Sequence, residues 1–253
     1  MIEPLQQPTA VSHRFVSAVA GLGGGTAVQT PPRGPDPLAS LGTKVAFQSH
    51  DAMVHEGDDV EWLFRIKDGI VKLQRILSDG RCQIVGLLFA GDFLGLAGEA
   101  AAPYSAYAVG VVSADRFSRR AMEQLCESSI PVARQLLRWA NKELAAAQEQ
   151  MLLLGCKTPR EKFASFLLRL IHRQDNPDLV RLPMTRTDIA DYLGLTLETV
   201  SRTMSQFRRD GLITPLDRSA VRIIDLPTIE HLADCAWKQS DPRQSKGKSR
   251  WQS

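Results

Sequence analysis

The chain has 253 residues, 43% of them hydrophobic and 23% charged, with a formal net charge of +3 at neutral pH. That composition suits a soluble globular protein with room for one large or two ordinary domains, and +3 is too weak a charge to announce a nucleic-acid partner. Cysteines at 82, 126, 156 and 235 match no zinc spacing and suit a reducing cytoplasm instead of a disulfide framework, and no apolar run approaches a membrane span.

Residues 1–40 hold six of the fourteen prolines and the run Gly23-Gly24-Gly25, so this segment is expected to be a disordered extension. Phe15 to Leu22 is mildly apolar, but Glu3 and the missing basic start argue against a signal peptide. Residues 41–120 read as a compact β domain. Alternating runs from Glu61 to Ile66 and from Ile70 to Ile76 are punctuated by Asp68-Gly69 and Asp79-Gly80, each a hairpin signal. Gly57, Gly91 and Gly95 mark further turns. A barrel or roll of about eight strands is expected, a container shape that raises the question of a ligand.

The period changes after residue 119. Ile130, Ala133, Leu137, Ala140, Leu144, Ala147, Met151 and Leu154 recur at spacings of three and four, the a/d pattern of a coiled-coil seam. Residues 121–155 are therefore expected to be a dimerisation helix. Ile130, Leu137, Ala140, Leu144, Ala147, Met151 and Leu154 would form the interface of a parallel homodimer. A helix packed on its own β domain is the competing reading; the narrow, regular stripe favours the seam. Gly155-Cys156 closes this helix. Thr158-Pro159-Arg160-Glu161 opens another with a capping box and proline in its first position, and Asn176-Pro177 stops it. Its expected buried face is Phe163, Phe166, Leu167, Leu170 and Ile171.

Residues 156–237 carry the pattern of a winged helix-turn-helix. Leu179 to Leu182 reads as a short strand, followed by two short helices hinged at Gly194. Thr185 caps the first, with Asp188 completing a capping box and Ile189 and Leu193 facing inward. Thr196 caps the second, whose Val200, Met204 and Phe207 return an apolar stripe to the first. Leu197, Glu198, Ser201 and Arg202 are left pointing outward near its N-terminus, where a recognition helix presents base-reading side chains. A carboxylate such as Glu198 accepts from cytosine, and Arg202 forks onto guanine. Thr185, Arg186, Thr187, Thr196 and Thr199 sit where hydroxyls and a guanidinium meet phosphates. Leu212 to Thr214 and Val221 to Ile224 form the wing hairpin. Arginines 202, 208, 209, 218 and 222 against Asp210 and Asp217 concentrate basic charge here. Residues 238–253 form a basic tail with a balance of +4, expected to be disordered.

Three motifs in fixed order carry a resemblance: Leu63 to Lys72 (LFRIKDGIVK), Gly91 to Gly95 (GDFLG) and, beyond the long helix, Leu195 to Arg202 (LTLETVSR). Together, over residues 42 to 237, they resemble the CRP/FNR family of bacterial transcription regulators. The resemblance implies an α+β fold: an N-terminal β-roll of the cyclic-nucleotide-binding kind, a long dimerisation helix and a C-terminal winged helix-turn-helix. It also implies a cytoplasmic homodimer on double-stranded DNA that recruits RNA polymerase, with targets in low-oxygen, denitrification or nitrogen-fixation metabolism. Leu197 followed by Glu198, Ser201 and Arg202 is similar to the FixK branch, whose sites look like TTGAT-N4-ATCAA. By that carry-over Glu198, Ser201 and Arg202 read the half-site and Leu197 meets a thymine methyl.

The sensor end departs from its relatives. Where the CRP branch holds cyclic AMP with a glutamate and an Arg-Ser pair, this chain has Leu96 and Tyr104-Ser105. The iron–sulfur cysteines of the FNR branch are missing, since no cysteine precedes Cys82. No cofactor and no metal are expected. Three alternatives remain at this point: a haem-based sensor of a gas such as nitric oxide, with His50 or His55 as axial ligand; a cupin-like metalloenzyme using His50, His55 and Glu56; and a dimerising adaptor without DNA recognition, against which the outward Glu198 and Arg202 speak. A thiol switch at Cys82, Cys126 or Cys156 is a further option. No Ser-His-Asp, Walker or GxGxxG grouping points to an enzyme.

Overall fold

The computed structural model describes residue 38 and residues 41–97, 101–217 and 219–234. The extension expected over residues 1–40, save Leu38, and the tail expected over 238–253 lie outside the described residues, as do Arg218 and Cys235.

Alternating side chains build six strands: β1 (Thr43–Phe47), β2 (Ala52–Val54), β3 (Trp62–Ile76), β4 (Cys82–Leu88), β5 (Phe93–Leu94) and β6 (Ser105–Ser118). They form one antiparallel sheet in the order β1-β6-β3-β4, with β2 also on β6 and β5 also on β3. Phe64, Ile66, Val71, Leu73, Leu94, Val112 and Ala114 are buried on its inner face. Among the described residues six strands replace the expected eight or so, because β3 and β6 are long. Of the two Asp-Gly signals only Asp79-Gly80 turns a hairpin, closed by Gly80 N–H to Leu77 O and Leu77 N–H to Arg81 O. Asp68-Gly69 lies inside β3, where the pairing with β6 shifts register on both sides of Asp68. A bulge bends a strand without ending it. Here it lets the first half of β3 pair with β5 and the second with β4. Gly69 has φ +91°, and a Cβ there would sit 2.5 Å from the Val111 carbonyl oxygen.

The helical segment is broken once. Helix α1 (Arg119–Ser128) stops at Ser129, and α2 (Ile130–Cys156) starts with Pro131 in its first turn. Proline has no N–H to bond back to the preceding turn and clashes with it, so the helix cannot run through. Helix α3 (Pro159–Gln174) opens on the expected capping box of Thr158 and Glu161 and ends at Asp175 with φ +49°. Phe163, Phe166, Leu167, Leu170 and Ile171 are all buried. Strand β7 (Leu179–Arg181), helix α4 (Arg186–Leu193), helix α5 (Leu197–Arg209) and strands β8 (Ile213–Pro215) and β9 (Ala220–Ile223) follow. The wing has three strands in the order β7-β9-β8, since β7 joins the expected hairpin. Helix α6 (Leu226–Asp234), an element beyond those expected, is capped by Asp225 accepting from Thr228 N–H at 3.0 Å, and it buries Ile229 and Ala233.

One apolar cluster joins these parts. It runs from Ile84, Leu87 and Phe89 of the sheet through Leu153 of α2 to Phe163, Phe166, Tyr192, Val200 and Phe207. Gly69→Ala is expected to cost about 3 kcal/mol or more, combining positive-φ strain with a backbone clash. Gly80→Ala, at φ +83° with nothing within 4 Å of its Cβ, should lose only about 1–2 kcal/mol. Urea unfolding of both variants measures the difference; equal losses would contradict the close approach of β3 to β6.

Candidate nucleic-acid interface

The local chemistry of the helix pair fixes where its side chains point. Thr185 Oγ1 accepts from Asp188 N–H at 3.1 Å, and Asp188 Oδ2 accepts from Thr185 N–H at 3.1 Å and from its hydroxyl at 2.7 Å. Gly194, at φ +60°, ends α4 with its N–H on Ala190 O. Only a glycine fits there without strain, and Leu154 packs where a Cβ would go, 3.0 Å away. Thr196 caps α5 by accepting from Thr199 N–H at 3.2 Å, and the two hydroxyls lie 2.8 Å apart. Each of these caps contributes about 1 kcal/mol to starting its helix at that residue.

Burial then orients α5. Val200, Thr203, Met204 and Phe207 are buried, Phe207 standing edge-on to Phe163 at 5.1 Å between ring centroids. The opposite face carries the four expected reading residues: Leu197, Glu198 and Arg202 are exposed and Ser201 is half-buried. Glu198 and Arg202 form an ion pair one turn apart, with side chains 74% and 75% exposed. An exposed pair of this kind adds little stability. It does hold a carboxylate and a guanidinium together at the exposed N-terminal end of α5, where the helix dipole is positive. Thr185, Arg186, Thr187 and Thr196 are exposed around it and Thr199 is half-buried.

Helix α2 presents two stripes. The inner one, Val132, Trp139, Glu143, Ala146, Gln150 and Leu153, faces its own chain, with Trp139 on Phe93 at 4.1 Å between centroids. The outer one is apolar and open: Ile130 is 68% exposed, Leu137 61%, Leu144 57% and Met151 65%, and Ala140 and Ala147 lie exposed between them. The competing reading, a helix packed on its own β domain, thus holds for the inner face, and the stripe expected to form the seam is left open on the outer one. Leu154 differs from its companions, being half-buried against the cluster that includes Leu193 and Leu153.

A cavity of about 420 Å³ opens where α2 crosses the sheet. Leu73, Leu88, Phe93, Leu96, Tyr104 and Trp139 line it, with Asp92, Lys142, Glu143, Arg169 and Arg173 also on its wall. Asp92 is buried and binds three groups: Lys142 Nζ at 2.7 Å, Arg173 Nη2 at 3.1 Å and Phe89 N–H at 3.0 Å. Tyr104 donates to Glu143 at 3.3 Å. His50 and His55 are exposed and line no part of it. Glu56 is taken up by Arg75 at 2.7 Å and His55 lies edge-on to Tyr107. Among the described residues no group of three or more His, Cys, Asp or Glu is placed to hold a metal, and no helix is long and apolar enough to cross a membrane. Burial pushes the Cys82 and Cys126 thiols above their ordinary range, the opposite of an activated thiolate.

Sequence reasoning missed the contacts that tie α4 to the rest of the chain. Lys72 of β3 reaches Asp188 at 2.6 Å, Gln83 of β4 donates to Asp191 O, and Gln150 of α2 donates to Tyr192 O at 2.8 Å. These partners lie between 42 and 116 residues apart. The one local hint was Gln150, a polar residue on an otherwise largely apolar inner stripe.

Residues 161–232 match the Crp-like helix-turn-helix domain and residues 44–129 the cyclic nucleotide-binding domain. The chain is 38% identical over 197 residues to the nitrogen fixation regulation protein FixK of Bradyrhizobium diazoefficiens, covering 76% of this chain and 83% of that one. It is 39% identical over 189 residues to the transcriptional activator protein FnrL of Cereibacter sphaeroides, covering 71% and 76%. Among solved structures it is similar to FixK2 from Bradyrhizobium japonicum, with a TM-score of 0.73, 33% identity, and 76% and 97% of the two chains covered.

The cavity does not fit a cyclic nucleotide. Leu96 and Tyr104 both face it, and its two arginines are engaged, Arg169 on Tyr192 Oη at 3.0 Å and Arg173 on Asp92. A cyclic phosphate needs a guanidinium that is not already committed. The wall carries instead a carboxyl held in its neutral direction: burial raises Glu143 above the ordinary range, the Tyr104 hydrogen bond lowers it in part, and the Asp92 charge raises it again. A carboxyl raised on folding contributes stability below its unfolded value, lost as pH rises through the folded one. Glu143→Gln should therefore match the wild type near about pH 4 and melt at a higher temperature by about pH 8. Thermal denaturation across that range checks this, and a variant less stable at pH 8 would refute the burial argument.

Proposed function

The chain belongs to the CRP/FNR family of DNA-binding transcription regulators, and we propose that it works as a cytoplasmic homodimeric activator reading a palindrome of the TTGAT-N4-ATCAA type. The observation that carries this reading is the Glu198–Arg202 pair on the exposed first turn of α5. A guanidinium forked onto guanine and a carboxylate accepting from a cytosine amino group distinguish base pairs in the major groove. Ser201 adds a hydroxyl and Leu197 an apolar contact, while Thr185, Arg186, Thr187, Thr196 and Thr199 hold the backbone.

The open stripe on α2 supplies the second half of the reading. Large apolar side chains in a row one heptad apart, as Ile130, Leu137, Leu144 and Met151 are, leave an uncovered seam that a second copy closes in parallel. A two-fold dimer then sets two α5 helices about one turn of DNA apart, which makes the operator a palindrome. Bound upstream of a promoter, the dimer recruits RNA polymerase. Relatives named for nitrogen fixation and for transcriptional activation support an activator with targets in nitrogen metabolism; low-oxygen genes belong to the same proposal.

Arg202→Ala should cost about 1–3 kcal/mol on the matched duplex and relax one base position, whereas Arg186→Ala should weaken all sequences alike. Titrations against matched and singly substituted TTGAT duplexes separate the two, and an unchanged isotherm for Arg202→Ala removes the base-contact assignment. Joint Leu137→Glu and Leu144→Glu substitution buries two unpaired charges in the seam and should give monomers by sedimentation equilibrium. Persistence of the dimer would move the interface elsewhere.

A further inference from the structure

Helix α4 stands behind the reading helix, and its fastening is unusual in coming from outside its own domain. At its C-terminal end two carbonyls accept side-chain amides, Asp191 O from Gln83 of β4 and Tyr192 O from Gln150 of α2. At its N-terminal end the Asp188 carboxylate is divided between two tasks. Oδ2 caps the helix through Thr185, and Oδ1 accepts from Lys72 Nζ of β3 at 2.6 Å. The Lys72 and Asp188 side chains are only 17% and 19% exposed, so the pair is screened little by solvent. Burial alone would raise the Asp188 carboxyl; the hydrogen bonds from Lys72 and Thr185 outweigh it and hold the group below its ordinary range.

The division of labour separates folding from aiming. The Thr185–Asp188 box closes without Lys72, and Ile189, Leu193, Val200 and Phe207 pack α4 on α5 without it. Lys72 adds a directional link between the sheet and α4. The apolar cluster from Ile84 and Leu87 to Phe163 presses the two parts together, but apolar attraction has no direction and tolerates sliding. A short, part-buried ion pair does not.

We propose that Lys72 is a positioning residue for DNA recognition: by holding the capping carboxylate of α4 it sets the angle at which α5 leaves the dimer, and so the half-site spacing the protein accepts. This rests on the palindrome reading above. The test measures full-length protein binding to palindromic TTGAT duplexes with the four-base-pair spacer, with spacers one base pair shorter and longer, and to a single half-site. Wild type should prefer one spacing by about tenfold, the order of one mismatched base pair. Lys72→Met and Asp188→Asn should each shrink that preference to about threefold or less, with half-site affinity within about twofold of wild type. The asparagine keeps an oxygen for the Thr185 cap, and Lys72→Arg should restore the preference. Variants as selective as wild type overturn the proposal. So do variants that lose half-site binding in step with the palindrome, because Lys72 would then merely support α4. A wild type indifferent to spacing removes the palindrome reading itself, and this proposal with it.

Discussion

The apolar cluster shared by the sheet, α2 and the C-terminal helices is the constraint the rest of the molecule answers to. Phe163, Phe166, Tyr192 and Phe207 are almost wholly buried, and a side chain of that size contributes roughly 1.5–3 kcal/mol when removed from water. Ile84, Leu87 and Phe89 of the sheet sit in the same cluster, so the DNA-facing helices do not hang from a linker. Polar groups caught at its edge must then be satisfied, since an unpaired buried donor or acceptor costs about as much as a lost core contact. Arg169 on Tyr192 Oη and Arg173 on Asp92 are the consequences, and Gln150 meets the demand in part, its Nε2 on Tyr192 O while its Oε1 is buried without a hydrogen bond.

Helix α2 carries apolar side chains on two faces. Its inner stripe, with Trp139 on Phe93, is spent on its own chain, which leaves the heptad-spaced outer stripe with nothing to cover it. A helix buried on one face alone would carry polar residues opposite. The open Leu137 and Leu144 are the side chains that the proposed dimer would cover. The small Ala140 and Ala147 between them suit close approach of another helix.

The region facing α2 on the sheet has become a container without the chemistry of its family's nucleotide. Leu96 and Tyr104 turn the wall apolar, while Asp92 gathers Lys142 and Arg173 into a fixed knot among the sheet, α2 and α3. A carboxylate that binds two cations on two different helices fixes the angle between them.

Much of this was legible in short stretches of chain. The capping boxes at Thr158 and Thr185, the Thr196 cap, the Gly194 hinge and the outward Glu198 and Arg202 follow from interactions within about one helical turn, and such interactions are written in neighbouring letters. Helix α6 has a local signal too, in Asp225 and Thr228. Asp68-Gly69 was not legible: the same dipeptide makes a hairpin at Asp79-Gly80 and a bulge inside β3, and the choice depends on whether β6 lies alongside to be paired. The sequence alone determined the caps and the exposed end of α5, because a helix end satisfies its own polar groups locally. Only the tertiary structure decided how the helix pair is held, because Lys72 and Asp188, 116 residues apart, become partners only once burial has brought the sheet against α4.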